Sequence, residues 1–381
     1  MEDSTPSPPA EPPPPPLSPL IMAVIGVALG LGLFLTLGGA TQLLNAAFGI
    51  WFTEIFIFLG VPWVLLRAAH YEPLGFSGAR SVALAPAAFG FGLGVINFFA
   101  FVIPIQYAAQ SVAPQWLRDM FDSSRIFEGQ NSLELAVMLA GVSVAAPVCE
   151  EFFFRGVFQR GLLATSLSRV SAVVVTAVVF SAFHMDPVGF VARVELGVLF
   201  GALRLYTGSL WPGIMAHSAN NVVSSALFLA ARQMGAEGTD EQPPLKLVLL
   251  LSAGGLVLMG GMLTLARWFP VLWGPRKELP TVTLPAPSLA RLILPWMLAA
   301  TLSVGALVLL DSRGIHLSFV DMQHRLPKLP KDASEAQQAE RAELLRMRDE
   351  VRGGRLPIEV YEEERARQAR QASEEPTPEK Q

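Results

Sequence analysis

Residues 148–161 read VCEEFFFRGVFQRG, and the fold is decided by how this stretch is understood. Most of it would suit lipid or the inside of a membrane bundle, yet Glu150, Glu151 and Arg155 stand in its middle. A single charge at the bilayer centre costs about 2.5–3.5 kcal/mol on insertion scales. Charges placed there need partners or a purpose. Helix geometry supplies part of the answer. Glu151 and Arg155 are four apart, share a helix face and can pair, which lowers the cost of both. Glu150 is turned about 100° away from Glu151 and can point elsewhere.

The surrounding chain explains why lipid is the right solvent to consider. Of its 381 residues, 52% are hydrophobic and 16% charged, against roughly 25% charged in an ordinary soluble domain. Mean hydropathy is +0.44. Apolar segments recur at 20–44, 50–67, 82–105, 132–162, 169–185, 188–206, 209–231, 246–268 and 289–310. A helix needs about 20 such residues to cross the hydrocarbon core. The expected fold is all-α, a polytopic integral membrane protein with about eight or nine transmembrane helices. The net charge of -4 is too weak to indicate a partner. No basic arm or aromatic-basic interleaving points to nucleic acid.

Three regions follow. Residues 1–19 are rich in Pro and Ser, read as a disordered leader, and lack the basic start of a signal peptide, so the first span is expected to be retained. Residues 20–310 form the transmembrane domain. Residues 311–381 form a charged, partly helical soluble tail, with a helix expected near 333–352, capped by Ser334 and ended by Gly353-Gly354. The tail's mixed charges read as a solvated face, with a partner surface as the sharper alternative. Arg67, Arg80, Arg160, Arg169, Arg204, Arg267, Arg276, Lys277 and Arg291 fall on one side of the alternating loops, which favours a cytoplasmic N-terminus. Arg118, Arg125, Arg232 and Lys246 fall on the other.

Polar residues inside the apolar segments concentrate in three of them. Glu150, Glu151 and Arg155 lie in the fourth, His184 ends the fifth, and His217 and Asn221 share a face of the seventh. Glu150 lies seventeen residues before Leu167 and His184 seventeen after it. At about 1.5 Å per residue an antiparallel hairpin brings them to one height. A free carboxylate, two imidazoles and an amide are what hydrolysis of an amide bond requires. Glu150 can act as general base, His184 can hold the water, and His217 with Asn221 can donate to the oxyanion. Alternatively Glu150, His184 and His217 could bind Zn²⁺ with one position open for water. The lone cysteine, Cys149, reads as a small packing residue. Glu54, Asn97, Arg193 and Glu195 are assigned structural or cavity-lining roles, with Asn97 bridging helices.

The three groups read Glu150-Glu151-x-x-x-Arg155, Phe180-x-x-x-His184 and His217-x-x-x-Asn221. In this order they resemble the CPBP intramembrane proteases, which include CAAX prenyl endopeptidases and bacterial Abi, bacteriocin-processing and immunity proteins. The resemblance covers about residues 130–231. It implies a CPBP-type helical core and an endopeptidase acting on membrane-associated peptides or proteins, prenylated ones among them. It implies that Glu150 and His184 activate water, that His217 and Asn221 form the oxyanion site, and that Glu151 and Arg155 brace it. Family members are described both as metalloproteases and as metal-independent glutamate proteases, so Zn²⁺ and no metal both stay open. Localisation would be multi-pass, in the inner membrane for a bacterial protein. Two other classes share the composition: a proton-coupled transporter using Glu150, His184 and His217 as a relay, and a catalytically idle immunity or scaffold protein.

Overall fold

The structure is a computed structural model that describes residues 17–80, 83–122, 127, 132–233, 242–274, 283–285, 287–326 and 334–374. The expected leader therefore lies outside the described residues except for its last three positions. Among the described residues nine apolar helices follow one another: α1 Pro19–Leu44, α2 Ala46–Ala68, α3 Leu84–Val112, α4 Ser132–Leu163, α5 Arg169–Phe183, α6 Phe190–Thr207, α7 Trp211–Gln233, α8 Leu245–Trp268 and α9 Leu289–Leu310. They lie where the apolar segments place them. By length and composition 7 of them can cross a membrane. The two exceptions have separate causes. α5 has only 15 residues, and α6 carries Arg193, Glu195 and Arg204. The chain is all-α and polytopic.

Helix starts are written locally. Ser18 Oγ accepts from the Ile21 N–H at 3.3 Å ahead of Pro19. Asn45 caps α2 through Phe48, and Ser168 caps α5 through Ser171. Each of these side chains takes up an N–H that the first helical turn leaves without a partner.

Several spans contain a wide π turn, and prolines account for three of them. A proline ring clashes with the carbonyl four residues earlier and donates no hydrogen bond. Pro62, Pro104 and Pro147 each have that position inside a π segment, at Thr53–Leu59, Phe98–Val102 and Gly141–Ala145 respectively. The wide turn moves the carbonyl aside and lets the helix continue.

Packing is close where small residues allow it. A Cβ on Gly90 or Gly94 of α3 would collide with the Pro212 or Ala216 carbonyl of α7, the small-xxx-small device of membrane helices. Phe58, Cys149, Phe153, Phe154, Phe180 and Phe183 form one buried cluster. Cys149 is thus a packing residue, and the Phe152–Phe154 run faces the bundle rather than lipid.

The tail is helical: α10 Ser312–Gln323, α11 Glu335–Arg352 and α12 Ile358–Glu374. Ser334 and Gln337 make a reciprocal capping box on α11, and Gly353 is its C-cap. Leu317, Val320, Leu326, Leu344, Val351 and Tyr361 form a separate small core. The tail is tied to the membrane helices. Arg352 pairs with Asp311 at 2.8 Å and with Glu134 at the start of α4, while Asn45 donates to Asp311 at 2.9 Å.

Candidate active site

Two wide turns flank the carboxylates of α4, Gly141–Ala145 before them and Phe152–Phe158 after. Such turns re-aim side chains and recur at functional sites. Glu150, Glu151, Arg155 and His217 are all buried. Glu151 is the hub. Its Oε1 accepts from Arg155 Nη1 at 2.7 Å and stands 3.2 Å from His217 Nδ1. Arg155 also donates to the Gly197 carbonyl at 3.1 Å, and its guanidinium lies over the rings of Phe180 at 4.5 Å and Phe200 at 5.3 Å. Carboxylate, carbonyl and ring faces together repay the burial of this cation.

Glu150 differs from its neighbour. Its Oε2 is buried without a hydrogen-bond partner, and the nearest cation-capable atom is His217 Nε2 at 3.9 Å. That gap exceeds a hydrogen bond, but one water about 2.8 Å from each atom would touch both. The His217 ring is stacked on Phe200 at 4.8 Å and meets Phe180 edge-on at 5.8 Å. Its orientation is therefore set by aromatic packing as well as by Glu151.

Asn221 sits one turn beyond His217 and donates to the Val142 carbonyl at 2.8 Å. In the π register that carbonyl would be taken by the N–H of residue 147, which Pro147 lacks. The amide so fills a vacancy made by the wide turn and pins α7 to α4. Asn220 donates in turn to Asn221 Oδ1 at 3.0 Å.

His184 terminates α5 and is exposed, with Nδ1 3.0 Å from the Phe180 carbonyl. Met185, at φ 51, breaks the helix after it. The loop beyond is fastened by Asp186, which accepts from the Val188 and Gly189 N–H groups and pairs with Arg193. The Phe180 ring meets His184 at 5.0 Å on one side and His217 at 5.8 Å on the other. Among the described residues, no group of three His, Cys, Asp or Glu side chains could hold a metal ion. Glu150, His184 and His217 as arranged do not fit one Zn²⁺.

Several contributors have no signal in the three motifs. Gln159, one turn past Arg155, donates to the Gly201 carbonyl at 3.0 Å. Arg155 and Gln159 thereby meet Gly197 and Gly201 as two matched four-residue steps, a spacing visible in the sequence once the helices are paired. Phe200 has no such signal. Glu54, assigned above to a structural or cavity-lining role, sits in the π segment of α2 against residues 146–151 and within electrostatic reach of Glu150. Asn97 donates to Glu195 at 2.9 Å and joins α3 to α6.

Residues 132–223 match the family model of the type II CAAX prenyl endopeptidases, Rce1-like. The match begins with α4, ends just past Asn221 and contains all three motifs. The family so described is one of peptidases, and the likeness is confined to these 92 residues. No curated protein and no solved structure matches the chain.

Proposed function

We propose that this protein is an intramembrane endopeptidase, with Glu150 as the general base that activates water and His184 beside it on the rim. The observation that carries the reading is the contrast between two adjacent buried carboxylates. Each has an unpaired Oε2, but Glu151 is held through Oε1 by Arg155 and faces His217, whereas Glu150 makes no hydrogen bond among the described residues. A buried carboxylate kept only for structure would be hydrogen-bonded. One left open towards an imidazole suits proton transfer.

Glu150 takes a proton from water, the water oxygen bonds to the peptide carbonyl carbon, and the carbonyl oxygen becomes an oxyanion. His217 Nε2, carrying a proton, and the second N–H of Asn221 stabilise that oxyanion. The C–N bond then breaks, and the proton on Glu150 passes to the leaving nitrogen. Glu151 and Arg155 hold the His217 ring and touch no substrate.

The substrate we infer is a peptide anchored in or at the bilayer, prenylated chains included. α5 would rise only about 22 Å at 1.5 Å per residue, short of a 30 Å core. Its end, with His184, would lie below the headgroups, where an anchored peptide and water could meet. With α5 and α6 counted, the bundle has nine crossings and the tail faces the side opposite residue 17. Purified protein in bilayer discs should cleave a membrane-anchored peptide, and Glu150→Gln should abolish cleavage with unfolding unchanged. A fully active Glu150→Gln protein would remove the proposed base.

A further inference from the structure

Where α9 leaves the membrane, the tail holds a cavity of about 590 Å³ lined by Arg313, His316, Gly354, Arg355 and Glu359 among others. We propose that this cavity binds the phosphodiester headgroup of an anionic phospholipid from the surrounding bilayer.

Position is the first argument. Leu309 and Leu310, the last residues of α9, are 84% and 86% exposed, so the span ends in lipid-facing side chains. Ser312 and Arg313 follow within one turn. On the other wall, Arg352 binds Asp311 and Glu134. Those two residues mark the end of α9 and the start of α4. The turn that follows Arg352, from Gly353 to Arg355, is thereby pinned beside the ends of two membrane helices. It cannot move away from those helix ends while the Arg352 pairs persist.

Charge is the second. Neither Arg313 nor Arg355 has a carboxylate partner among the described residues, whereas Arg346, Arg348, Arg352, Arg365 and Arg367 of the same tail are all paired. Arg313 and His316 are three apart and share a face of α10. Two guanidinium charges less the one carboxylate of Glu359 leave a single fixed positive charge. That matches the single negative charge of a phosphodiester, and it favours a diester over a more highly charged phosphate ester.

The third is that the turn is shaped for these side chains. Gly354 has φ 72, a conformation that favours glycine, and a Cβ there would collide with Arg313 Nη1. A Cβ on Gly353 would stand 3.2 Å from Arg355 Nη1. The Gly353-Gly354 pair lets both guanidinium groups fold over the turn and converge. Arginine forks suit phosphate oxygens, and exposed leucines beside them suit the acyl chain.

Native mass spectrometry of the full-length protein, loaded with equal amounts of phosphatidylglycerol and phosphatidylcholine, tests this. A juxtamembrane arginine is worth about fivefold in affinity for anionic lipid. Arg313→Gln/Arg355→Gln should therefore lose roughly twenty-fivefold of phosphatidylglycerol retention and keep its phosphatidylcholine retention. Arg346→Gln, which removes a paired and exposed arginine, should retain both lipids as wild type does. The proposal is overturned if wild type shows no preference for phosphatidylglycerol, or if the double variant keeps the preference. Inorganic phosphate that displaces the lipid at low millimolar concentration would assign the cavity to a free anion and overturn the lipid reading. Proteolytic activity is not needed for any of these readouts.

Discussion

His217 Nδ1 and Glu151 Oε1 stand 3.2 Å apart, and the same carboxylate oxygen accepts from Arg155 Nη1 at 2.7 Å. One oxygen therefore meets both a fixed cation and an imidazole. On the proposed mechanism this divides the labour between neighbours in sequence. Glu151 would orient His217, in the way that a buried carboxylate orients a catalytic histidine. Its partner ring is left with Nε2 facing Glu150 at 3.9 Å. The helical offset between adjacent residues is what separates the two roles.

The first prediction separates them by kinetics. Glu150→Gln should lower kcat by at least the 10²–10⁴-fold attributed to general base catalysis, with the thermal midpoint retained. Glu151→Gln should reduce kcat as well, through a misplaced His217, and should also lower the midpoint. Equal midpoints in the two variants would show that Glu151 does not brace the site.

Arg155 carries the second. Its side chain is fully buried against Glu151, the Gly197 carbonyl, Phe180 and Phe200. Arg155→Ala leaves an uncompensated buried carboxylate, which costs about 3–5 kcal/mol. The double variant Arg155→Met/Glu151→Gln removes both charges and should be more stable than Arg155→Ala alone. Thermal unfolding in one detergent, read by intrinsic fluorescence, decides the order. Were Arg155→Ala the more stable of the two, the ion pair would not be what repays the burial.

Much of this arrangement was legible in the chain. The apolar segments placed all nine helices, because membrane helices satisfy their own backbone and leave a plain hydropathy record. The four-residue spacings put Glu151 with Arg155 and His217 with Asn221 on shared faces. Ser334 and Gly353 bounded α11. What the chain hid were partners from distant segments. Asn221 is bound to Val142 because Pro147 leaves a carbonyl open in a π turn, a register shift that periodicity does not report. Phe200 stacks on His217 from a helix whose own polar residues drew attention elsewhere. Glu54 reads as structural or cavity-lining, without a named partner, because Glu150 lies 96 positions away in sequence, from residue 54 to residue 150. The docking of the tail through Arg352 could not be read either, since a charge run looks the same whether solvated or paired.

That docking gives a third prediction. Arg352 joins the tail to Glu134 on α4 and to Asp311 at the end of α9. Arg352→Ala should raise amide hydrogen exchange at both places together, around residue 134 and around residue 311, and leave α7 unchanged. Local openings of this kind are what exchange reports. A rise at only one of the two places would mean that they are not linked through this side chain.

The last prediction concerns pH and the tail core. Tyr361 is buried, and its hydroxyl donates to Asp321 Oδ1 at 2.6 Å. Burial, then the Asp321 charge, push the phenol well above its ordinary value of 10.0. The folded state therefore keeps a proton that the unfolded chain releases above about pH 10. Tyr361 contributes its full stability below that pH, and the contribution falls as pH rises from about 10 towards the folded value. The thermal midpoint of the tail transition in the full-length protein should then drop between pH 9 and pH 11.5. Tyr361→Phe has no proton to lose there. It should start lower by about 1.5–3 kcal/mol, the worth of a hydrogen bond to a charged group, and then decline less steeply. Exchange rates in α12, read by mass spectrometry after correction for the intrinsic pH dependence, assign the transition to the tail. Parallel declines in the two proteins would place the alkaline sensitivity in some other group.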